Sequence, residues 1–159
     1  MKARLAAGTV AAAVLAVLGT TVTPAEAVAS PTLRTKAYNV AVDQLGDDYV
    51  RGAEGPDAFD CSGLTWYSYR KAGRVWGRTA ADEQRRNQTV DISSAQATRG
   101  DLIFFRRKGS SVYTHVGINA GGGYMINAVN GSTRKGVVKG KIVDGYWNKY
   151  YVADWRRVK

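Results

Sequence analysis

The sequence predicts one domain of the α+β class, with helices in its first half and strands in its second half. Apolar residues recur at helical spacing over 33–45 and 61–72. Short runs that are apolar or that alternate in polarity follow over 102–105, 113–119 and 124–129. Helices and strands that are segregated along a chain are typical of α+β domains, in which the helices cover an antiparallel sheet.

Residues 1–29 have the layout of a secretory signal peptide. A basic start precedes an apolar stretch over 5–19, and a segment of small and polar residues follows. The apolar stretch is shorter than the ~20 residues that a membrane-spanning helix needs, although a retained anchor is the alternative. We expect cleavage after Ala27 or after Ala29. The product is a secreted protein of the cell wall with one domain over 30–159 and no stable membrane insertion.

The chain is strongly basic, with a formal net charge of +10, of which about +9 falls on residues 30–159. In an exported protein, this charge favours contact with anionic cell-wall polymers, and better solubility is the simpler alternative. The sequence has no zinc-finger or RNA-binding signature, so we expect no nucleic-acid partner. We expect the domain to be a monomer.

Cys61 is the only cysteine of the chain and stands in the segment 60–64. Asp60 is a good N-cap, so the sequence places Cys61 in the first turn of a helix. There, unpaired backbone N–H groups and the helix dipole favour a thiolate. Two interpretations remain open from the residue alone. Cys61 is either a catalytic nucleophile or a small buried apolar residue.

His115 is the only histidine and lies on the alternating strand over 113–119. With a three-residue hairpin loop at 120–122, His115 and Asn127 would be direct cross-strand neighbours, with Cβ atoms roughly 4.5–5.5 Å apart. A two-residue loop would instead place them on opposite faces of the hairpin.

Cys61, His115 and Asn127 fit one mechanism. A histidine near the thiol accepts its proton and then protonates the leaving amine. A polar side chain on the far side of the imidazole fixes its tautomer and orientation. One cysteine and one histidine are too few for a zinc site, so we expect no metal and no cofactor.

The tail of the chain predicts further short strands at 137–138, 141–143 and 150–155. Trp147 and Trp155 lie in this region. We expect each of them in the core rather than at the rim of a substrate site.

Four segments together resemble the NlpC/P60 family of cysteine peptidases. They are 60–64, 100–105, 115–118 and 125–128, and they occur in the order and at the spacing of that family. The resemblance covers about residues 35–157 and implies a minimal papain-like α+β fold, in which a nucleophile helix packs on an antiparallel sheet. It also implies hydrolysis of peptidoglycan peptide stems, commonly at the bond between D-γ-glutamate and a diamino acid.

The resemblance also implies roles for single residues. Cys61 is similar to the family's nucleophile and His115 to its base, and Asn127 stands at the position of the third polar residue. Tyr49 resembles the family tyrosine that assists at the oxyanion, where the backbone N–H of Cys61 would be the other donor.

Three further positions resemble residues that contact substrate in some members of the family. Asp60 and Ser62 flank the nucleophile, and for Asp60 the role of helix cap is an equal alternative. Arg78 matches the arginine of an Arg-Thr pair that precedes a short helix beside the cleft, and Thr79 is expected to cap that helix.

The sequence departs from the family pattern at two positions. Asn127 replaces a frequent histidine, and because asparagine can orient an imidazole we expect activity to survive. Arg51 replaces a frequent tryptophan and alters one wall of the expected cleft.

Three other functions fit the same residues. Related papain-like folds act as amidases or acyl transferases through the same acyl-enzyme. An exported antibacterial toxin that degrades cell walls would use the same chemistry. A basic wall-binding protein that retains the fold without catalysis is the non-enzymatic alternative.

Overall fold

The computed structural model describes residues 30–143 and 145–159, so the predicted signal peptide lies outside the described residues. None of the described helices is long and apolar enough to cross a membrane. The helices of the described residues are α1 (Pro31–Asp43), α2 (Cys61–Lys71), α3 (Ala81–Gln88) and α4 (Tyr146–Tyr150).

The strands form two sheets. A short parallel pair joins β1 (Asp48–Tyr49) to β2 (Ala58–Phe59), directly before α2. The main sheet is antiparallel, with six strands in the order β3-β8-β4-β5-β6-β7. Its strands are β3 (Thr89–Asp91), β4 (Leu102–Arg107), β5 (Tyr113–Gly121), β6 (Tyr124–Asn130), β7 (Lys135–Lys141) and β8 (Tyr151–Val158). The predicted α+β class is confirmed.

Helices α1 and α2 cover one face of the main sheet and form the larger core with it. Ala37 of α1 and Leu64 and Tyr69 of α2 are fully buried there, against sheet residues such as Phe104 and Val116. The helical spacing of these apolar residues directs them to one side of each helix, so their burial stabilises the packing of helix on sheet.

The other face of the sheet carries a smaller, aromatic core. Ile103, Phe105 and Met125 are buried on this face. Trp147, from α4, and Tyr151, from the start of β8, pack over them. Neighbouring residues of β4 therefore serve opposite faces, which explains why its run of four apolar residues is buried throughout.

Helix α2 begins at Cys61 because Asp60 caps it. The Oδ1 atom of Asp60 accepts a hydrogen bond from the Gly63 N–H at 2.6 Å, which confirms the predicted cap. A Cβ atom at Gly63 would lie 2.0 Å from the Ala53 carbonyl oxygen. Only glycine therefore allows the first turn of α2 to pack this closely on the preceding loop.

The β5–β6 hairpin turns through Gly122 and Gly123, whose φ angles of 62° and 79° suit the two central positions of a two-residue turn. The predicted three-residue loop is wrong. The register shifts between Asn119 and Gly121, so Ala120 forms a bulge that adds one residue to β5.

This bulge decides where His115 and Asn127 lie. A two-residue loop alone would place them on opposite faces, and the extra residue returns them to the same face. The residue that lies against Asn127 is Gly117, since a Cβ at Gly117 would be 3.2 Å from the Asn127 Cβ. His115 and Asn127 are thus diagonal neighbours, and the predicted direct pairing is wrong by two residues.

Three other local predictions need correction. α3 begins at Ala81 after Ala80, which makes no side-chain cap, so Thr79 does not cap it. None of the strands expected from the sequence corresponds to β3. One strand, β7, replaces the two short strands expected at 137–138 and 141–143, and it ends at Lys141.

Candidate active site

A cleft of about 700 Å³ opens beside the part of β5 that does not pair with β6. The two strands pair between 118–121 and 124–126 only. Beyond this pairing, Thr114 and His115 of β5 and residues 127–130 of β6 line the cleft. The separation of two sheet strands therefore creates the space in which the candidate site lies.

The cleft brings together the four residues that the sequence predicts as catalytic: Tyr49, Cys61, His115 and Asn127 all line it. Burial raises the pKa of the Tyr49 hydroxyl, and the nearby charge of a Cys61 thiolate would raise it further, as expected for close side chains. No group of three or more His, Cys, Asp or Glu within the described residues is placed to hold a metal ion.

A hydrogen bond fixes the orientation of the His115 ring. Its Nε2 atom lies 2.9 Å from Oδ1 of Asn127. The amide of Asn127 is itself oriented, because its Nδ2 donates to the Val138 carbonyl at 3.2 Å. Oδ1 must then accept from Nε2–H, which leaves Nδ1 of the neutral ring as the nitrogen that can accept a proton.

Trp147 covers the His115 ring. The two rings are nearly parallel, at 18°, with centroids 4.4 Å apart, and Phe105 lies 6.0 Å from the histidine centroid. Trp147 is half-buried, packs against the smaller core as expected, and also lines the cleft. The aromatic-rich run 146–151 is the only sequence signal for this contact, and it does not indicate which residue is covered.

Burial disfavours the charged forms of both the Cys61 thiol and the His115 imidazole. Burial, followed by the negative charge of Asp60, raises the pKa of the Cys61 thiol to about 11. Hydrogen bonds from the backbone of Val116 and Ser62 oppose this shift. Burial lowers the pKa of His115 to about 4, although its bond to Asn127 opposes the change. Desolvation therefore opposes the thiolate that the helix N-terminus favours.

The three predicted substrate contacts lie together but outside the lining of the cleft. Arg78 donates to Oδ1 of Asp60 at 2.7 Å and to Oγ of Ser62 at 2.8 Å. Oδ2 of Asp60 accepts from the Gly52 N–H at 2.8 Å. These bonds hold the start of α2 to its surroundings, so the observed contacts are structural, and a role in substrate binding stays a prediction. Arg51 is exposed and also lies outside the lining residues.

The NlpC/P60 family model matches residues 46–156 of the chain. The chain is 43% identical over 113 residues to the probable endopeptidase p60 of Listeria monocytogenes, covering 71% of this chain and 22% of the relative. It is 39% identical over 116 residues to the bifunctional muramidase/DL-endopeptidase CwlT of Bacillus subtilis, covering 71% and 33%. It is 31% identical over 119 residues to the murein DD-endopeptidase MepH of Escherichia coli, covering 74% and 43%.

Solved structures agree with these matches. NlpC1 from Trichomonas vaginalis superposes with a TM-score of 0.68 at 28% identity, over 82% of this chain and 45% of the other. The NlpC/p60 domain of the peptidoglycan hydrolase SagA superposes with a TM-score of 0.60 at 30% identity, over 79% and 98%. The chain spans between about a fifth and a half of the length of the first curated relatives, so it corresponds to one part of those proteins.

Proposed function

Because the chain belongs to the NlpC/P60 family, we propose that it is a secreted cysteine peptidase that hydrolyses the peptide stems of peptidoglycan. One observation carries the proposal. Cys61 and His115 line the same cleft, and the 2.9 Å bond from His115 to Asn127 leaves Nδ1 as the proton acceptor. The endopeptidase names of the relatives support the same reaction.

In the proposed reaction, Nδ1 of His115 accepts the thiol proton as the Cys61 sulfur attacks the scissile carbonyl carbon. Proton transfer accompanies the attack because burial disfavours the charged form of each group. Asn127 holds the ring in the required tautomer throughout, as the third residue of a Cys-His-Asn site.

The attack converts the carbonyl oxygen into an oxyanion, which needs hydrogen-bond donors. The Cys61 backbone N–H, at the first residue of α2, and the Tyr49 hydroxyl serve as these donors. The imidazolium then protonates the leaving amine, and an acyl-enzyme remains. Water that His115 deprotonates hydrolyses the thioester and restores the thiol.

The scissile bond that we propose joins D-γ-glutamate to the diamino acid. The names of two relatives differ on this point, since CwlT is called a DL-endopeptidase and MepH a DD-endopeptidase. The chain shares 39% identity with the first and 31% with the second, which supports the bond proposed here.

Digestion of purified peptidoglycan, with the products identified by mass spectrometry, tests this function. The protein is recovered from the culture medium, where its N-terminus is expected at Val28 or Ser30. We expect fragments with a new diamino-acid N-terminus. Cys61→Ala and His115→Ala should abolish them, whereas Ser94→Ala, in an exposed turn, should not.

Two results would contradict the proposal. Release of intact peptides from the sugar chain would indicate an amidase instead. Unchanged digestion by Cys61→Ala would remove the cysteine mechanism.

A further inference from the structure

The lining of the cleft carries positive charge. Arg134 and Lys141 are among its lining residues, and none of the described lining residues is an aspartate or a glutamate. A cleft with positive side chains and no described acidic ones attracts anionic groups of a bound peptide.

The guanidinium of Arg134 is not engaged internally, unlike those of several arginines that support the fold. Arg78 pairs with Asp60, Arg85 with Asp154, and Arg157 with Asp101. In contrast, no carboxylate or other acceptor among residues 30–143 and 145–159 bonds the side chain of Arg134. Its five N–H donors are therefore available to a ligand.

The backbone of Arg134 is held in place although its side chain is exposed. Its carbonyl accepts from the Gly131 N–H at 2.9 Å, and the pairing of Asn130 with Lys135 closes the β6–β7 turn around it. Asn130 lies three residues along β6 from Asn127, which is about 10 Å at the usual rise of a strand. A guanidinium from this turn thus reaches a group that lies one or two peptide residues from the scissile bond.

We propose that Arg134 binds a free carboxylate of the stem peptide. This inference rests on the proposed function and names a specificity site within it. The planar fork of arginine matches a carboxylate with two parallel hydrogen bonds, whereas an amide offers one oxygen and no charge. The site therefore selects stems whose D-glutamate or diamino-acid carboxylate is free over stems in which that carboxylate is amidated.

The test measures binding separately from cleavage, by calorimetry with the inactive Cys61→Ala protein. The probe is the tetrapeptide L-Ala–γ-D-Glu–diaminopimelate–D-Ala with all carboxylates free. Two further tetrapeptides carry an amide either on the D-glutamate α-carboxyl or on the side-chain carboxyl of diaminopimelate, so they show which carboxylate is bound. Arg134→Gln and Arg134→Lys are compared in the Cys61→Ala background. Lys36→Gln, on the exposed surface of α1, controls for the loss of one charge.

We expect the free tetrapeptide to bind about tenfold more tightly than one of the two amidated peptides, the strength of a single charged contact in a solvated cleft. Arg134→Gln should erase this preference, Arg134→Lys should keep part of it, and Lys36→Gln should keep all of it.

Equal affinity for the three peptides, no binding of any of them, or a preference that survives in Arg134→Gln would each overturn the subsite. Cleavage by the protein with Cys61 intact is measured in parallel. Carboxylate-dependent binding without cleavage supports the subsite and overturns the peptidase proposal, so the two failures are distinguishable.

Discussion

Lowering the pH is expected to destabilise this fold through His115. Burial holds the pKa of His115 at about 4 in the folded protein, against about 6.5 for an unperturbed histidine. Between these values, the unfolded chain binds a proton that the folded protein does not. The free energy of unfolding therefore falls as the pH falls below 6.5, and the loss is complete near pH 4.

The size of this effect follows from the two pKa values. Between pH 7.5 and pH 4.5, the proton that binds only to the unfolded chain is worth about 2.5 kcal/mol, by the linkage relation. Such a loss is a large fraction of the 5–15 kcal/mol that typically stabilises a domain. Well above pH 6.5, both states hold a neutral ring, so His115 contributes little pH dependence there.

Urea unfolding at pH 7.5 and at pH 4.5 measures this loss, with His115→Gln as the control. Glutamine keeps a side-chain amide that can donate to Oδ1 of Asn127, but it does not titrate. Other groups titrate in both proteins, so their contributions cancel in the comparison. We expect the pH-dependent loss to be about 2.5 kcal/mol larger in the wild type. An equal loss in both proteins would refute the assignment of a low pKa to His115.

Two substitutions test how His115 is positioned. Asn127→Ala removes the acceptor for the Nε2–H of His115 and leaves the Val138 carbonyl without its donor, so kcat should fall about 10–100-fold. Asn127→His should retain most of the activity, because a second imidazole can orient the first. Gly117→Ala places a Cβ 2.7 Å from the Met125 sulfur and 3.2 Å from the Asn127 Cβ, so kcat should fall about tenfold. Gly77→Ala is the control and should leave kcat unchanged, because a Cβ there meets nothing within 4 Å. Steady-state kinetics on a stem peptide measure kcat for all four variants. Equal kcat values for Asn127→Ala and Asn127→His would contradict the orienting role of Asn127. Equal values for the two glycine variants would contradict the need for a close approach at Gly117.

The start of α2 could be predicted from the sequence because its determinants are local. Asp60 lies three residues before the N–H that it caps, and the apolar spacing after Cys61 gives the buried side of the helix. Both determinants lie within a few residues of the start of the helix. They place the nucleophile candidate without any knowledge of the sheet.

The register of the β5–β6 hairpin could not be predicted in the same way. The glycines at 121–123 indicate a turn, but they do not indicate which of them form it. The bulge at Ala120 could not be predicted from the sequence either, because one extra residue leaves the polarity pattern of the strand unchanged. Two errors therefore compensated: the loop is shorter than predicted and the strand is longer, so His115 and Asn127 still share a face.

The packing of Trp147 over the His115 ring could not be predicted, because the two residues are far apart in the sequence. Trp147 follows His115 by more than thirty residues, and no periodicity links them. Its position depends on β8 returning beside β4, which brings α4 over Phe105. Contacts of this kind are decided by the topology of the sheet rather than by local propensity.

The aromatic residues over His115 and the side chain of Asn127 together explain how this site keeps the imidazole neutral and oriented. Trp147 and Phe105 pack near the His115 ring, and its burial disfavours the imidazolium, so the ring stays unprotonated in mildly acidic surroundings. Burial alone would also leave Nε2–H unsatisfied and the ring free to turn. Asn127 meets both needs, because its oxygen accepts that proton and its amide is anchored on Val138. Since asparagine does not titrate, the bond that orients His115 is itself insensitive to pH in this range.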